Sequence, residues 1–183
     1  MKKAATYART RPGGLNLGLD RLNMNIWWQG YSGLKFKDLE QKLAFLLTIE
    51  STPPDILVIH CGGNDLGTLN VADFRRKIRT TFQFIINRFP NTFIVWSQIL
   101  PRKFLVDAKA LSKQRSRLNN FAAKRILELG GAYIRYPDIK FGISHLFQSD
   151  NIHLSDIGNS IFINTLQGAL EHFYLANGNV YPL

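Results

Sequence analysis

Apolar positions along the chain follow two periods, and the switches between them predict alternating strands and helices. Residues 55–61 (DILVIHC) carry a continuous apolar centre, Ile56–Ile59, which predicts a central strand buried on both faces of a parallel sheet. Residues 92–99 and 132–136 read as two more strands, and residues 23–28 (NMNIWW) as a short β-prone run before a turn at Gln29-Gly30-Tyr31-Ser32-Gly33. Between them the period lengthens. Leu39, Leu43, Leu46 and Leu47 recur at helical spacing until Ser51-Thr52-Pro53-Pro54 stops the pattern. Phe74, Ile78, Phe82, Ile85 and Phe89 mark one face of a second helix, with Arg75, Arg76 and Arg79 on the other.

Pro101 opens a basic loop, after which Leu118, Phe121, Ala122, Ile126 and Leu129 form a third stripe that ends at Gly130-Gly131. The last stripe, Ile157, Ile161, Phe162, Leu166, Leu170 and Phe173, follows Ser155 and Asp156, either of which can cap it. Strands alternating with helices predict an α/β domain with a mainly parallel sheet, arranged as a three-layer sandwich. No repeat or linker interrupts the chain, so residues 1–183 read as one domain with its core over about 23–175.

Composition narrows the classes. Apolar residues make up 45% of the chain and aromatics 12%, which excludes a disordered protein. No apolar run approaches the roughly 18 residues of a membrane span, and the charged start Met1-Lys2-Lys3 has no apolar stretch behind it. Cys61 is the single cysteine, so neither an intrachain disulfide nor a cysteine-based zinc cluster can form. No Asn-x-Ser/Thr acceptor occurs. These features lead to the expectation of an intracellular, cytoplasmic protein without membrane contact. The net charge of +10 brings nucleic acid into consideration as a partner, through Arg75-Arg76-Lys77-x-Arg79 and residues 113–117, although both clusters also fit the solvated faces of amphipathic helices.

In α/β sheets, ligands bind outside the carboxyl ends of the strands. Three polar loops are candidates: 30–33, 62–65 and 149–153. An asparagine such as Asn64, held after two glycines at a strand end, can aim its side-chain NH₂ at one point, while a glycine such as Gly33 lets a backbone N–H approach the same point. Converging donors of this kind form an oxyanion hole, worth roughly 3–4 kcal/mol per donor. An aspartate three residues before a histidine, as in Asp150 and His153, can orient the imidazole and stabilise its charged form. Each loop also has a plainer reading. Gly62-Gly63-Asn64-Asp65 can be a tight turn, Gly30 and Gly33 turn glycines, and Asp150 a helix-entry residue.

Taken together, and in this order, these residues resemble the SGNH hydrolase superfamily of GDSL-like esterases and lipases. Gly62-Gly63-Asn64-Asp65 is similar to that family's Gly-x-Asn-Asp block, and Asp150-Asn151-Ile152-His153 to its Asp-x-x-His block. Gly33, in Tyr31-Ser32-Gly33, matches its glycine block better than Gly30 does. The resemblance runs from about residue 23 to 173. It implies a flavodoxin-like sheet, hydrolysis of carboxylic esters through an acyl-enzyme, Asn64 and the Gly33 amide as oxyanion donors, His153 as general base and Asp150 as its orienting partner. No cofactor or metal is implied, and the expected partner is a small ester of unknown identity.

The family's first block, a strand ending in Gly-Asp-Ser, has no counterpart. Residues 1–9 resemble the helix after that block, and the first serine is Ser32. The reading therefore expects an N-terminally truncated domain that lacks the first central strand and is inactive or weakly active. Ser97, Ser32 and Cys61 are the substitute nucleophiles to weigh, with Cys61 expected to be buried and inert. The competing function is a non-catalytic binding module with a basic surface. A flavodoxin-like nucleotide or flavin binder is a distant third reading with little support, because no G-x-G-x-x-G or Walker loop is present.

Overall fold

Buried backbone groups must pair with one another, and the three apolar runs meet that demand by forming a sheet. In the computed structural model, which describes residues 2–50, 52–102 and 108–183, they become β1 (Ile56–Ile59), β2 (Phe93–Ser97) and β3 (Ala132–Ile134). A fourth strand, β4 (Val180–Tyr181), completes the order β1-β2-β3-β4. β1 and β2 run parallel, with Ile56 opposite Phe93 and Ile59 opposite Trp96. The helices are α1 (Lys2–Ala8), α2 (Leu39–Ile49), α3 (Val71–Arg88), α4 (Ala108–Glu128) and α5 (Asp156–Tyr174). Exactly one α-helix separates each strand from the next, so the fold class is α/β, and this order fits a three-layer α/β/α sandwich. Among the described residues, no helix is long and apolar enough to cross a membrane. Ser51 and the continuation of the basic loop through residues 103–107 lie outside the described residues.

Two expectations need correction. Residues 24–28 are not a strand: no ladder runs through them. The segment is held instead by single anchors, the Ile26 N–H on Asn16 Oδ1 at 2.8 Å and the Trp28 indole N–H on the Leu15 carbonyl at 2.7 Å. A β-prone run without a neighbouring strand has nothing to pair with. β1 is also neither central nor buried on both faces, because it stands at the end of the strand order. Ile56, Leu57 and Val58 are half-buried there, and only Ile59 is buried, whereas all of β3 is buried.

Contacts group the chain into two units. One holds residues 33–99 with α4, and its core is aromatic. The Phe36 ring meets Phe74 at 5.6 Å and Trp96 at 5.9 Å, and Phe82 meets Trp96 at 5.6 Å, all four fully buried. Edge-on rings at such distances add about 0.5–1.5 kcal/mol per pair beyond the area they bury. α3 starts where Asn70 Oδ1 accepts the Asp73 N–H at 2.9 Å, and it buries the predicted stripe together with Thr81. Thr81 earns its burial through its hydroxyl, which donates to Glu40 Oε1 on α2 at 2.6 Å; Lys77 reaches the same oxygen at 3.3 Å. α4 ends at the predicted glycines. Gly130 takes φ +78, a left-handed backbone that stops a helix, and the Gly131 N–H returns to the Ile126 carbonyl at 2.9 Å.

The other unit holds, among the described residues, 2–32, 100–102 and 134–183. Ser155 caps α5, its Oγ accepting the Gly158 N–H at 3.1 Å. Tyr136 stacks on Phe162 at 4.9 Å. The unpredicted β4 is fixed by Arg135, whose backbone N–H donates to the Tyr181 carbonyl at 2.7 Å and whose guanidinium donates to the Pro182 carbonyl.

Phe74 touches the centre of the aromatic core, so Phe74→Ala should lower the unfolding free energy by about 3–5 kcal/mol in urea denaturation. A loss below about 1 kcal/mol would contradict the packing described.

Candidate active site

A short hairpin carries the Asp–His pair. Phe147 and Leu154 form an antiparallel bridge, the Gln148 N–H donates to the His153 carbonyl at 2.8 Å, and the Asn151 N–H donates to the Gln148 carbonyl at 2.8 Å. Inside this loop Asp150 Oδ1 accepts the backbone N–H groups of Ile152 and His153, each at 2.9 Å. Its other oxygen, Oδ2, lies 2.5 Å from His153 Nδ1. One carboxylate therefore fixes the turn with one oxygen and the imidazole with the other. The contact to the His153 ring, followed by the two backbone donors, holds the Asp150 carboxyl well below the usual carboxylate range. His153 is half exposed, with 51% of its side chain open to solvent, and Nε2 has no hydrogen-bond partner among the described residues. An imidazole oriented through Nδ1 and open at Nε2 is equipped to accept a proton. Asp150 satisfies amides of its own turn as well as the ring, while the entry to α5 is capped by Ser155.

The second group of predicted residues is assembled around Asp65. Asn64 Nδ2 donates to the Leu34 carbonyl at 3.0 Å, which places Asn64 beside the residue that follows Gly33. Asp65, only 2% exposed, accepts the Phe36 N–H through Oδ2 at 3.0 Å. Its carbonyl also accepts the Thr68 and Leu69 N–H groups at 3.0 and 3.3 Å, closing the loop after β1. Asp65 ties the loop after β1 to the segment after Gly33, a link that the sequence reading did not assign. The signal was present, because an acid beside Asn64 in a buried loop needs backbone donors. The structure also separates the two glycines. Gly33 has φ +70 with open space where a Cβ would stand, a backbone that needs glycine for its angle alone. Gly30 instead lies against the backbone of Lys2, where a side chain would collide.

None of the substitute nucleophiles has the required setting. Ser97 is completely buried, with its Oγ 2.9 Å from His60 Nδ1. Burial, reinforced by the nearby Asp65 charge, pushes the Cys61 thiol up to about 12, so it stays protonated and unreactive. Ser32 is exposed, and no histidine is hydrogen-bonded to it among the described residues.

No protein-family profile matches the chain, and no curated protein matches it. Solved structures do. A family 3 carbohydrate esterase from Clostridium thermocellum superposes with a TM-score of 0.69 at 16% identity, covering 94% of this chain and 87% of its own. A GDSL-like lipase from Bacteroides thetaiotaomicron gives 0.62 at 17% identity, covering 79% and 75%, and a lipase/acylhydrolase from Enterococcus faecalis gives 0.57 at 20%, covering 74% and 72%. The fold is that of these esterases. At such identities the likeness concerns the fold alone, and it is consistent with the SGNH hydrolases that the sequence motifs resemble.

On this esterase fold, the basic cluster of α3 is largely engaged within the chain. Arg75 and Arg79 lie over the Phe121 ring at 5.2 and 5.9 Å, Arg76 pairs with Asp73 at 2.7 Å, and Lys77 with Glu40. No group of three potential metal ligands occurs among the described residues.

Two measurements check these environments. Cys61 should react with a thiol reagent such as DTNB only after unfolding in guanidinium; rapid labelling of the folded protein at pH 8 would show that the thiol is neither buried nor protonated. Because the Asp150 carboxyl titrates lower when folded than when unfolded, its stabilising contribution is full above the ordinary carboxylate range and is lost progressively as pH falls from there through the lower folded value. Its ¹³Cγ resonance should thus stay flat while the pH is lowered through about 4, where a free aspartate titrates. An ordinary midpoint would show that the contact with His153 does not persist in solution.

Proposed function

We propose that the chain is the body of a serine ester hydrolase of the SGNH type, acting on carboxylic esters through an acyl-enzyme. The observation that carries this reading is the 2.5 Å contact between Asp150 Oδ2 and His153 Nδ1 on a loop that leaves Nε2 open. The esterase fold supports it, as does the placement of Asn64 next to the Gly33 segment. In the proposed cycle a serine hydroxyl attacks the ester carbonyl and its proton passes to His153 Nε2. The oxyanion is held by Asn64 Nδ2 and the Gly33 N–H. The alcohol leaves with the proton from His153, and water, activated by the same nitrogen, then releases the acid.

Residues 1–183 hold no serine in the role of the family's first block, so by themselves they are proposed to be inactive or weak. The competing reading, a basic binding module, keeps Lys113 and Arg117 as its main support, since the α3 cations have internal partners.

The test compares residues 1–183 with the same residues preceded by a strand ending in Gly-Asp-Ser, assayed on p-nitrophenyl acetate. The extended protein should hydrolyse the ester, His153→Ala should reduce the rate by at least about 100-fold, and the unextended chain should remain near background. An extended protein that folds with an intact melting transition yet hydrolyses nothing refutes the proposal.

A further inference from the structure

The loop after β1 and the first half of α4 enclose an open groove of about 540 Å³. This falls within the range of pockets that hold small molecules, about 300–1,000 Å³. One wall is the run 67–71, and the other is the α4 face carrying Leu111, Lys113, Gln114 and Arg117. The walls are tied together by Gln114. Its Oε1 accepts the Gly67 N–H at 3.0 Å and its Nε2 donates to the Leu69 carbonyl at 2.6 Å. These two bonds hold the loop and α4 together along the groove.

Its chemistry is two-sided. Leu69 and Leu111 supply an apolar lining, whereas Lys113 and Arg117, four residues apart and therefore on one helical face, supply two exposed cations. Neither cation lies within 4 Å of a carboxylate among the described residues. The nearby acid at the start of α3, Asp73, is engaged by Arg76 and by the Asn70 side chain. Arg115, between the two cations in sequence, turns the other way and donates to the Ile99 carbonyl at 3.2 Å. Two free positive charges over an apolar wall fit a ligand that is anionic at one end and alkyl at the other.

We propose that this groove binds a small amphipathic anion, a carboxylate or phosphate monoester bearing a short alkyl segment. The anion sits between Lys113 and Arg117, and the alkyl segment lies on Leu69 and Leu111. Gly67 is three residues after Asn64, so their Cα atoms are at most about 11 Å apart along the chain. If the ester-hydrolase reading holds, the groove is then within reach of an ester at Asn64 and selects substrates with an acidic substituent. The binding itself does not depend on that reading.

The experiment uses the full chain, with hexyl phosphate and hexanoate as probes and NMR amide shifts as the readout. Both anions should shift Gly67, Leu69, Leu111, Lys113 and Arg117, and 1-hexanol and inorganic phosphate should each bind at least about tenfold more weakly. The double variant Lys113→Ala/Arg117→Ala, at exposed positions, should lose about tenfold in affinity for the anions while keeping its melting temperature. Raising the salt should weaken the wild type and leave the variant unchanged. A preference between the two anions would identify a phosphate or a carboxylate as the natural head group. The proposal is overturned if the anions do not bind or shift residues elsewhere, if hexanol binds equally well, or if the double variant binds as the wild type does. A ten-residue dT oligonucleotide that shifts the same amides more tightly than hexyl phosphate would also overturn it, in favour of nucleic acid. None of these outcomes requires ester turnover, so failure of the groove and failure of the hydrolase reading are separately visible.

Discussion

A single buried carboxylate organises the unit that contains β1 and β2. Asp65 receives the Phe36 N–H on its side chain and the Thr68 and Leu69 N–H groups on its carbonyl. Phe36, thus placed, sends its ring onto Phe74 and Trp96. The same residue therefore closes the loop that bears Asn64, fixes the segment that follows Gly33 and seats a keystone of the aromatic core. A hydrogen bond to a charged group contributes about 1.5–3 kcal/mol, and leaving its donor unpaired inside the protein costs a similar amount. The alignment of the two candidate oxyanion donors thus rests on a contact that neither of them makes.

The Asp150–His153 pair uses a different device. There one carboxylate serves the local backbone and the imidazole together, and the surrounding turn is closed by the Phe147–Leu154 bridge and by the α5 cap at Ser155. Ser155 Oγ also donates to the His145 carbonyl at 2.6 Å, joining the turn to the residues before it. Orientation is obtained from short hydrogen bonds at the surface, where solvent can still reach the ring.

Much of this was legible in the sequence, for identifiable reasons. Apolar runs and stripes gave three strands and the main helices because burial dominates their placement, and Gly130-Gly131 gave the end of α4 because a left-handed backbone favours glycine. Residues 23–28 misled because β-propensity describes a side-chain preference, whereas a strand needs a neighbour. β1 misled because apolar continuity cannot tell an end strand from a central one. β4 is two residues long and depends on the Arg135 side chain, 45 residues before Val180, so no local pattern announces it. Asn64, Gly33, Asp150 and His153 were nominated as candidates through motif spacing. Asp65 and Thr81 were not assigned a role, since their partners, Phe36 and Glu40, are fixed only by tertiary structure.

The hairpin around His153 has a consequence for how the site would come apart. Its defining contacts span three to seven positions along the chain, so closing them costs little loop entropy and they can form early and locally. The ties of Asn64 and Asp65 to residues 34 and 36 span 30 and 29 positions. They exist only while the aromatic core is intact. Under gradual loosening the Asp150–His153 turn would outlast the ties of Asn64 and Asp65, so a weakened molecule would keep an oriented imidazole after the contacts around Asn64 had gone.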